Sequence, residues 1–341
     1  MPGGGGLSRP AASYILGSIL PLPERELIAR IRRRVAAGGR GRSLVAGIGD
    51  DCALLRLSPG HEILLTTDLT LEDVHFRRAW HAARAVGHRC LARGLSDIAA
   101  MGGEPLAAFL SLALPAETPQ SWVDEFLRGF LGLAGKFGIP LAGGDTAASA
   151  GGVAADVVVL GQVPAGAAIL RSGARPGDSV YVTGSLGGAA AALYQLRESG
   201  RVEPAAARAY FYPPPRVAVG ARLRRQGLAS AMIDLSDGLS TDLAHLCEES
   251  GVGAVVSESS IPRAHTSPAA TSTLHFALHG GEDYELLFTA RPDRKIPRTL
   301  GGVRLSRIGE IIREKKVWLM DSHGQRKALL PRGWEHFSSD H

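Results

Sequence analysis

The residues in this sequence best suited to chemistry are carboxylates that follow glycines or end apolar runs. Asp50 and Asp51 lie in GIGDDCA, Asp68 follows EILLTT, and Asp145 follows two glycines in LAGGDT. Asp234 ends AMID, and Asp237 comes three residues later in DLSDG. Asp97, in LSDIAAMGG, is a candidate for a second surface facing the same site. Aspartate is a poor strand residue, and a single one at a strand end is usually a turn former or a helix cap. Several placed this way point to one shared anionic site. Such carboxylates repel one another unless cations hold them. Oxygen ligands without a His/Cys cluster suit Mg²⁺ better than Zn²⁺, and Mg²⁺ commonly bridges carboxylates to phosphates.

Glycine-rich turns supply the complementary part. GSLGG (Gly184 to Gly188) and Ser236-Asp237-Gly238 each open a helix, where free N–H groups are natural phosphate sites. No GxxxxGK[ST] occurs, so a P-loop is excluded. Seven aspartates carry about −7, a nucleoside triphosphate about −4 and a phosphate monoester acceptor about −1.5 to −2, so neutrality asks for on the order of three to five divalent ions. Arg171 can serve as a bidentate phosphate clamp.

The elements that must position these residues are legible in part. Residues 23–37 read as a helix. Glu62 to Thr67 reads as a short buried strand that ends at Asp68. A helix over residues 81–102 places Leu91, Leu95, Ile98 and Ala99 on one apolar stripe and turns Asp97 roughly away from it. Trp122, Phe126, Phe130, Leu133 and Phe137 recur at helical spacing and read as core. Asp145 reads as sitting on a flexible turn. Residues 155–163 are β-rich, and residues 164–176 form a loop and domain boundary. Strands near 178–184, 229–235, 284–289, 303–312 and 316–320, with helices at 188–199 and 237–250, complete a two-domain α/β (α+β) chain of mixed sheets flanked by helices.

The chain has 341 residues, 45% hydrophobic and 21% charged, as in a globular protein. No apolar run approaches the ~20 residues of a membrane-spanning helix. Cys52, Cys90 and Cys247 are scattered, which argues against a disulfide scaffold or a cysteine zinc site. The N-terminal patch Tyr14 to Leu22 lacks the marks of a signal peptide, so a reducing cytoplasm is expected. The first residues are glycine-rich, and residues 1–22 read as a flexible extension. The net charge of +5 is local: seven arginines fall between Arg25 and Arg42, best read as a solvated helix face and not as a nucleic-acid surface.

Taken together, GIGDDCA, TTDLTLEDVHF, LSDIAAMGGEP, GGDT, RSGARPGD, VTGSLGGAA, IDLSDGLSTDLAHL, GGEDYELLFT and GWEHF resemble the thiamine-monophosphate kinases, in the family's order over residues 24–337. That family belongs to the aminoimidazole-ribonucleotide synthetase-like superfamily. The resemblance implies a homodimer formed through N-terminal domains (residues 23–163) that also bind ATP and Mg²⁺, followed by a C-terminal α/β domain (164–341). It implies direct in-line transfer of the ATP γ-phosphoryl group to thiamine monophosphate. Carried over by motif, Asp51, Thr66, Thr67, Asp68, Asp97, Asp145, Asp234 and Asp237 are implied metal ligands. Gly144, Asp145, Arg171 and Ser236 are implied ATP contacts, and His75, Glu282 and Trp334 implied thiamine-phosphate contacts. No general base is implied, because the acceptor oxygen is already largely deprotonated; neither is a nucleic-acid or membrane partner. The chain departs from the family pattern at Asp73, Gly94 and Ala147, where glycine, asparagine and threonine are usual. Asp73 is placed to raise the pKa of His75. Related enzymes of the superfamily fit less well: a selenophosphate synthetase is expected to carry a cysteine before the first aspartate motif, and an aminoimidazole-ribonucleotide synthetase lacks VHF and GGEDYELLF.

Overall fold

The computed structural model describes residues 21–37, 43–48, 52–202, 204–267, 270–271 and 273–334. The proposed flexible extension falls almost wholly outside the described residues, as do Arg40, Arg42, Asp50, Asp51 and the last three residues of GWEHF.

Helix α1 (Glu24–Ala37) opens the described chain. Three of its five arginines, Arg25, Arg32 and Arg33, are exposed to solvent, as the sequence leads one to expect; the other two are paired. Arg30 and Arg34 reach across to Asp124, and Arg30 Nε donates to Asp124 Oδ1 at 2.8 Å. The short strands β1 (Leu44–Ala46) and β2 (Leu54–Leu55) pair antiparallel. The N-terminal half then builds β3 (His61–Leu71), α2 (Ala83–Ala100), β4 (Glu104–Pro115), α3 (Gln120–Phe137), β5 (Leu141–Ser149) and β6 (Ala154–Pro164). These strands form a sheet of order β3-β6-β4-β5, parallel between β4 and β5 and antiparallel elsewhere.

Two expectations are corrected here. The strand at Asp68 is neither short nor buried: β3 runs eleven residues, carries Asp68 inside it, and alternates between a covered and an open face. Full-length pairing with β6, Asp68 opposite Val157, holds the aspartate in a position it would otherwise disfavour. Asp145 is not on a flexible turn either. It lies in β5, in register with Ser111 of β4. Gly144 permits this: its φ is 146°, and a Cβ there would stand 1.8 Å from the Leu110 carbonyl oxygen.

The C-terminal half contains β7 (Ser179–Thr183), α4 (Gly188–Ser199), α5 (Pro204–Phe211), α6 (Val217–Arg225), β8 (Ala231–Asp234), α7 (Leu239–Ser250) and β9 (Gly253–Ser257). The short pair β10 (His265–Ser267) and β11 (Ala270–Thr271) follows, then α8 (Leu274–His279), β12 (Leu286–Ala290), β13 (Thr299–Leu300), β14 (Val303–Ile312), β15 (Val317–Met320) and β16 (Arg326–Ala328). The main sheet has order β16-β15-β9-β14-β7-β12-β8, with β13 on β14; only β9 and β15 pair parallel. The expected strands and helices are present. Not expected from the sequence are β4 and β9, both apolar runs without alternation, α5 and α6, short segments on either side of Pro213–Pro215, and the short β1, β2, β10, β11, α8, β13 and β16.

Helix α2 lies at the centre of the molecule. It packs on β3, β6 and α3 and, from the other half, on α6 and β8. One hydrophobic cluster joins Leu91, Leu95 and Phe126 to Leu223, Met232 and Phe288, so the two halves share a core. No helix among the described residues is long and apolar enough to cross a membrane. Helices α2 and α3 meet at glycines: a Cβ on Gly87 would stand 2.0 Å from the Phe126 carbonyl oxygen, and one on Gly129 1.9 Å from that of Arg84.

Gly129→Ala is therefore expected to lower stability by on the order of 2 kcal/mol, because backbone cannot yield as a side chain can. Gly132, on the same helix, has open space where its Cβ would be; Gly132→Ala is expected to raise stability by about 1 kcal/mol through helix propensity. Thermal unfolding of both variants checks the pair.

Candidate active site

The centre of the site lies where α2, β3 and β8 meet. Along α2, Arg89, Arg93, Ser96 and Asp97 follow one another at i, i+4, i+7 and i+8, which puts all four on one stripe. Thr66 of β3 donates its hydroxyl to Asp97 Oδ2. Arg93 stands 3.4 Å from Asp68, two residues along the same face of β3. Ser96, fully buried, donates to Asp234 Oδ2 at 2.7 Å.

This arrangement holds more negative charge than its cations offset. Burial pushes the Asp234 carboxyl up to about 7, with Asp97 and Asp68 adding to the rise while Ser96 and Arg171 oppose it. Burial likewise raises Asp68 to about 6 against the pull of Arg93, with Asp97 and Asp156 adding to the rise. Asp97 is raised by burial too, against its bond from Thr66 and the charges of Arg171 and Arg93. Carboxylates and one hydroxyl are hard oxygen donors, although Asp68, Asp97 and Asp234 converge less closely than Asp237, Asp242 and His245, whose ligand atoms all lie within 4.8 Å of one another. The residues present therefore fit a divalent ion such as Mg²⁺.

A second layer borders this cluster. The loop before β12 is fixed by three backbone bonds: Glu282 N–H to Ser236 O at 2.7 Å, Tyr284 N–H to Leu235 O at 2.9 Å, and Leu235 N–H to Glu285 O at 2.8 Å. Those bonds hold Glu282 (φ 66°) and Tyr284 (φ 49°) in the left-handed region, a strained setting for side-chain-bearing residues. Glu282 pairs with the buried guanidinium of Arg89, which also bonds His81 Nε2 at 3.0 Å and lies 4.5 Å over the Tyr210 ring. Burial, with Arg89 adding to it, lowers His81 to about 4, so the imidazole stays neutral and able to accept from Arg89. His75, whose Nδ1 accepts from Leu71 N–H at 3.0 Å, lines a small crevice together with Arg89 and Arg93. Trp334 N–H donates to Asp237 O at 3.1 Å, which seats the indole beside the Ser236–Asp237 turn with 38% of its surface exposed.

The structure thus brings together Thr66, Asp68, Asp97, Asp234 and Arg171, with Ser236, Asp237, Glu282 and Trp334 along one border and His75 behind Arg89. It does not bring in the others. Thr67 alternates onto the open face of β3. Gly144 and Asp145 line a different cavity of about 480 Å³, walled by Ile28, Ile31, Phe109 and Leu141, which none of the clustered aspartates enters. Asp51 is outside the described residues.

Both candidate phosphate helices are corrected. Asp242 Oδ2 accepts from the amides of Asp237 and Gly238 at the start of α7, at 3.2 and 2.9 Å. At the start of α4, Asp283 accepts from Gly187 at 2.7 Å and from Ala189 at 3.3 Å. Each helix end already holds a carboxylate in the place of a phosphate.

Asp73, where the resemblance leads one to expect glycine, sits at φ 64°, in the left-handed region that favours glycine. Arg89, Arg93, Ser96, Tyr284 and Asp242 are site residues that the aspartate search missed. The signal for the first three was the polar stripe on α2, at helical spacing.

Comparison with known proteins shows the family to which this chain belongs. The family model for the AIR synthase related protein N-terminal domain matches residues 49–163, and that for its C-terminal domain matches residues 175–321. The thiamine-monophosphate kinase of Escherichia coli K12 is 35% identical over 330 residues, 93% of this chain and 98% of the relative. The crystal structure of the thiamine-monophosphate kinase from Stenotrophomonas maltophilia superposes with a TM-score of 0.78 at 34% identity, over 90% of this chain and 98% of that one. AaThiL complexed with AMPPCP and TMP superposes with a TM-score of 0.73 at 29% identity, over 92% and 97%. On its motifs, its two-domain fold and its likeness to these enzymes over nearly its whole length, this chain belongs to the thiamine-monophosphate kinase family.

Proposed function

We propose that this protein transfers the γ-phosphoryl group of ATP to thiamine monophosphate, giving thiamine diphosphate and ADP, the last step in making thiamine diphosphate. The observation that carries the reading is the Asp68–Asp97–Asp234 cluster beside Arg171, an anionic centre short of cations on a chain of this family. In the transfer, the bond from Pγ to the ADP oxygen breaks and a bond from Pγ to a phosphate oxygen of thiamine monophosphate forms. That oxygen is largely deprotonated near neutral pH, so the chain needs no strong base, and transfer rests on positioning and charge neutralisation.

Thr66, Asp68, Asp97, Asp234 and Asp237 would hold Mg²⁺, with Asp51 as a family-matched addition. Bound there, Mg²⁺ would neutralise phosphate charge. Arg171 and Ser236 contact ATP in this reading, with Arg171 placed to meet phosphate oxygens. His75, Glu282 and Trp334 receive thiamine monophosphate. The exposed indole of Trp334 offers a face to the cationic thiazolium, and Arg89 fixes the Glu282 carboxylate.

The active form in this reading is a homodimer in a reducing cytoplasm, where the three cysteines remain thiols. Support for the dimer lies on β3, whose open face carries Ile63, Leu65 and Leu69, each more than half exposed. An apolar row of this kind on a sheet edge asks for a partner.

A coupled assay with ATP, Mg²⁺ and thiamine monophosphate tests the reading, with thiamine as the parallel acceptor. Thiamine diphosphate formed from the monophosphate alone is the expected result, and ATP binding without product from either acceptor would overturn it. Asp234→Asn is expected to abolish turnover and the Mg²⁺-induced thermal shift. It should also raise the melting temperature of the metal-free protein by about 2–4 °C, because it removes a buried charge and keeps the Ser96 bond. Trp334→Ala should raise KM for thiamine monophosphate on the order of tenfold and leave KM for ATP nearly unchanged in steady-state kinetics. Leu65→Asp should turn the dimer into a monomer in analytical ultracentrifugation.

A further inference from the structure

The GSLGG segment has a second side that phosphoryl transfer does not use. Its C-terminal end is spent on capping α4 with Asp283. Its N-terminal end, Gly184 and Ser185, faces an open cavity of about 980 Å³ between this loop, the 259–265 segment and the β13–β14 hairpin. Among the described residues, none of those placed in the transfer site lines it.

The chemistry of this cavity is one-sided. Arg263, Arg298, Arg304 and Arg307 line it together with His265, and no aspartate or glutamate does. Among the described residues, Arg307 alone of the four has a carboxylate partner, Glu310 at 3.4 Å, in an exposed pair of the kind that contributes little. Gathering guanidinium groups on one concave wall costs repulsion that the exposed Arg307–Glu310 pair offsets only in part. The Ser306 hydroxyl, also on the wall, is buried and has no hydrogen-bond partner among the described residues. Guanidinium forks and hydroxyls are the groups that read phosphate oxygens, each fork in two-pronged fashion. The volume exceeds what a single phosphate fills, and Ile261, Pro262 and Leu305 give it an apolar floor.

We propose that this cavity is a second ligand site, separate from the transfer cluster, that binds the di- or triphosphate group of a small molecule. The arginines supply the charge, and Ser306 donates to a phosphate oxygen.

Isothermal titration of the full-length protein with sodium tripolyphosphate, in excess EDTA so that no metal-dependent binding at the transfer cluster contributes, tests the proposal. Wild type is expected to bind at one saturable site. The exposed pair Arg298→Ala/Arg304→Ala should weaken that binding by at least tenfold and leave kcat for phosphoryl transfer unchanged. Ser306→Ala should weaken it several-fold, a change that a general charge effect would not produce. Equal affinity in wild type and both variants would overturn the proposal. So would tighter binding of a single-stranded oligonucleotide through the same arginines, which would mark a nucleic-acid surface instead.

Discussion

Uncompensated negative charge held inside a rigid frame is the constraint on which this structure turns. Asp234 is 4% exposed and faces Asp97 and Asp68, with Arg93 and Arg171 as the nearby cations. Left to relax, these carboxylates would separate or turn to water. They cannot, because each is fixed by its own element: Asp68 by full-length pairing of β3 on β6, Asp97 by the buried helix α2, and Asp234 by the end of β8 and the Ser96 hydroxyl. The protein gives up stability here and gains a preformed place for cations and phosphate.

Helix α2 makes that frame possible. A helix in contact with two domains cannot be simply amphipathic, and α2 is buried on nearly every side. Its apolar residues join the shared core, and its polar stripe supplies Arg89, Arg93, Ser96 and Asp97 to the site. Close approach is bought with glycine: Gly87 and Gly129 bring α3 within reach of α2, and Gly94 sits where a Cβ would stand 2.6 Å from Val159 Cγ2. That packing leaves no room for a larger side chain at Gly94 unless Val159 yields.

The capped helix ends have a consequence for recognition. With Asp242 and Asp283 occupying the first amides of α7 and α4, those backbone groups are already satisfied and are not free for phosphate. Burial raises Asp283 to about 7 even though it accepts these amides, so the cap itself sits close to its titration range at neutral pH. Arginine, with its fixed fork, is the side chain best suited to meet phosphate oxygens in the proposed roles of Arg171 and of the separate arginine-lined wall.

The sequence by itself determined the α/β class, the amphipathic α3, most strands of the second sheet, and the identities of Asp68, Asp97, Asp234 and Asp237, because periodicity and motif order are local properties of a chain. The family, too, was legible, since motifs such as IDLSDGL and GGEDYELLFT keep their order and residue types. Tertiary structure alone decided the rest. Asp145 reads as a turn residue in isolation, but parallel pairing with β4 draws it into a strand and a separate cavity. Thr66 and Thr67 look equivalent in sequence, and the pleat of β3 sends one to Asp97 and the other to the open face. The caps on α4 and α7 differ in range: Asp242 lies within its own helix, whereas Asp283 arrives from a loop 96 residues beyond Gly187. Pairing, pleat and long-range capping depend on what lies across space from a residue, and a chain read in one dimension carries no record of that.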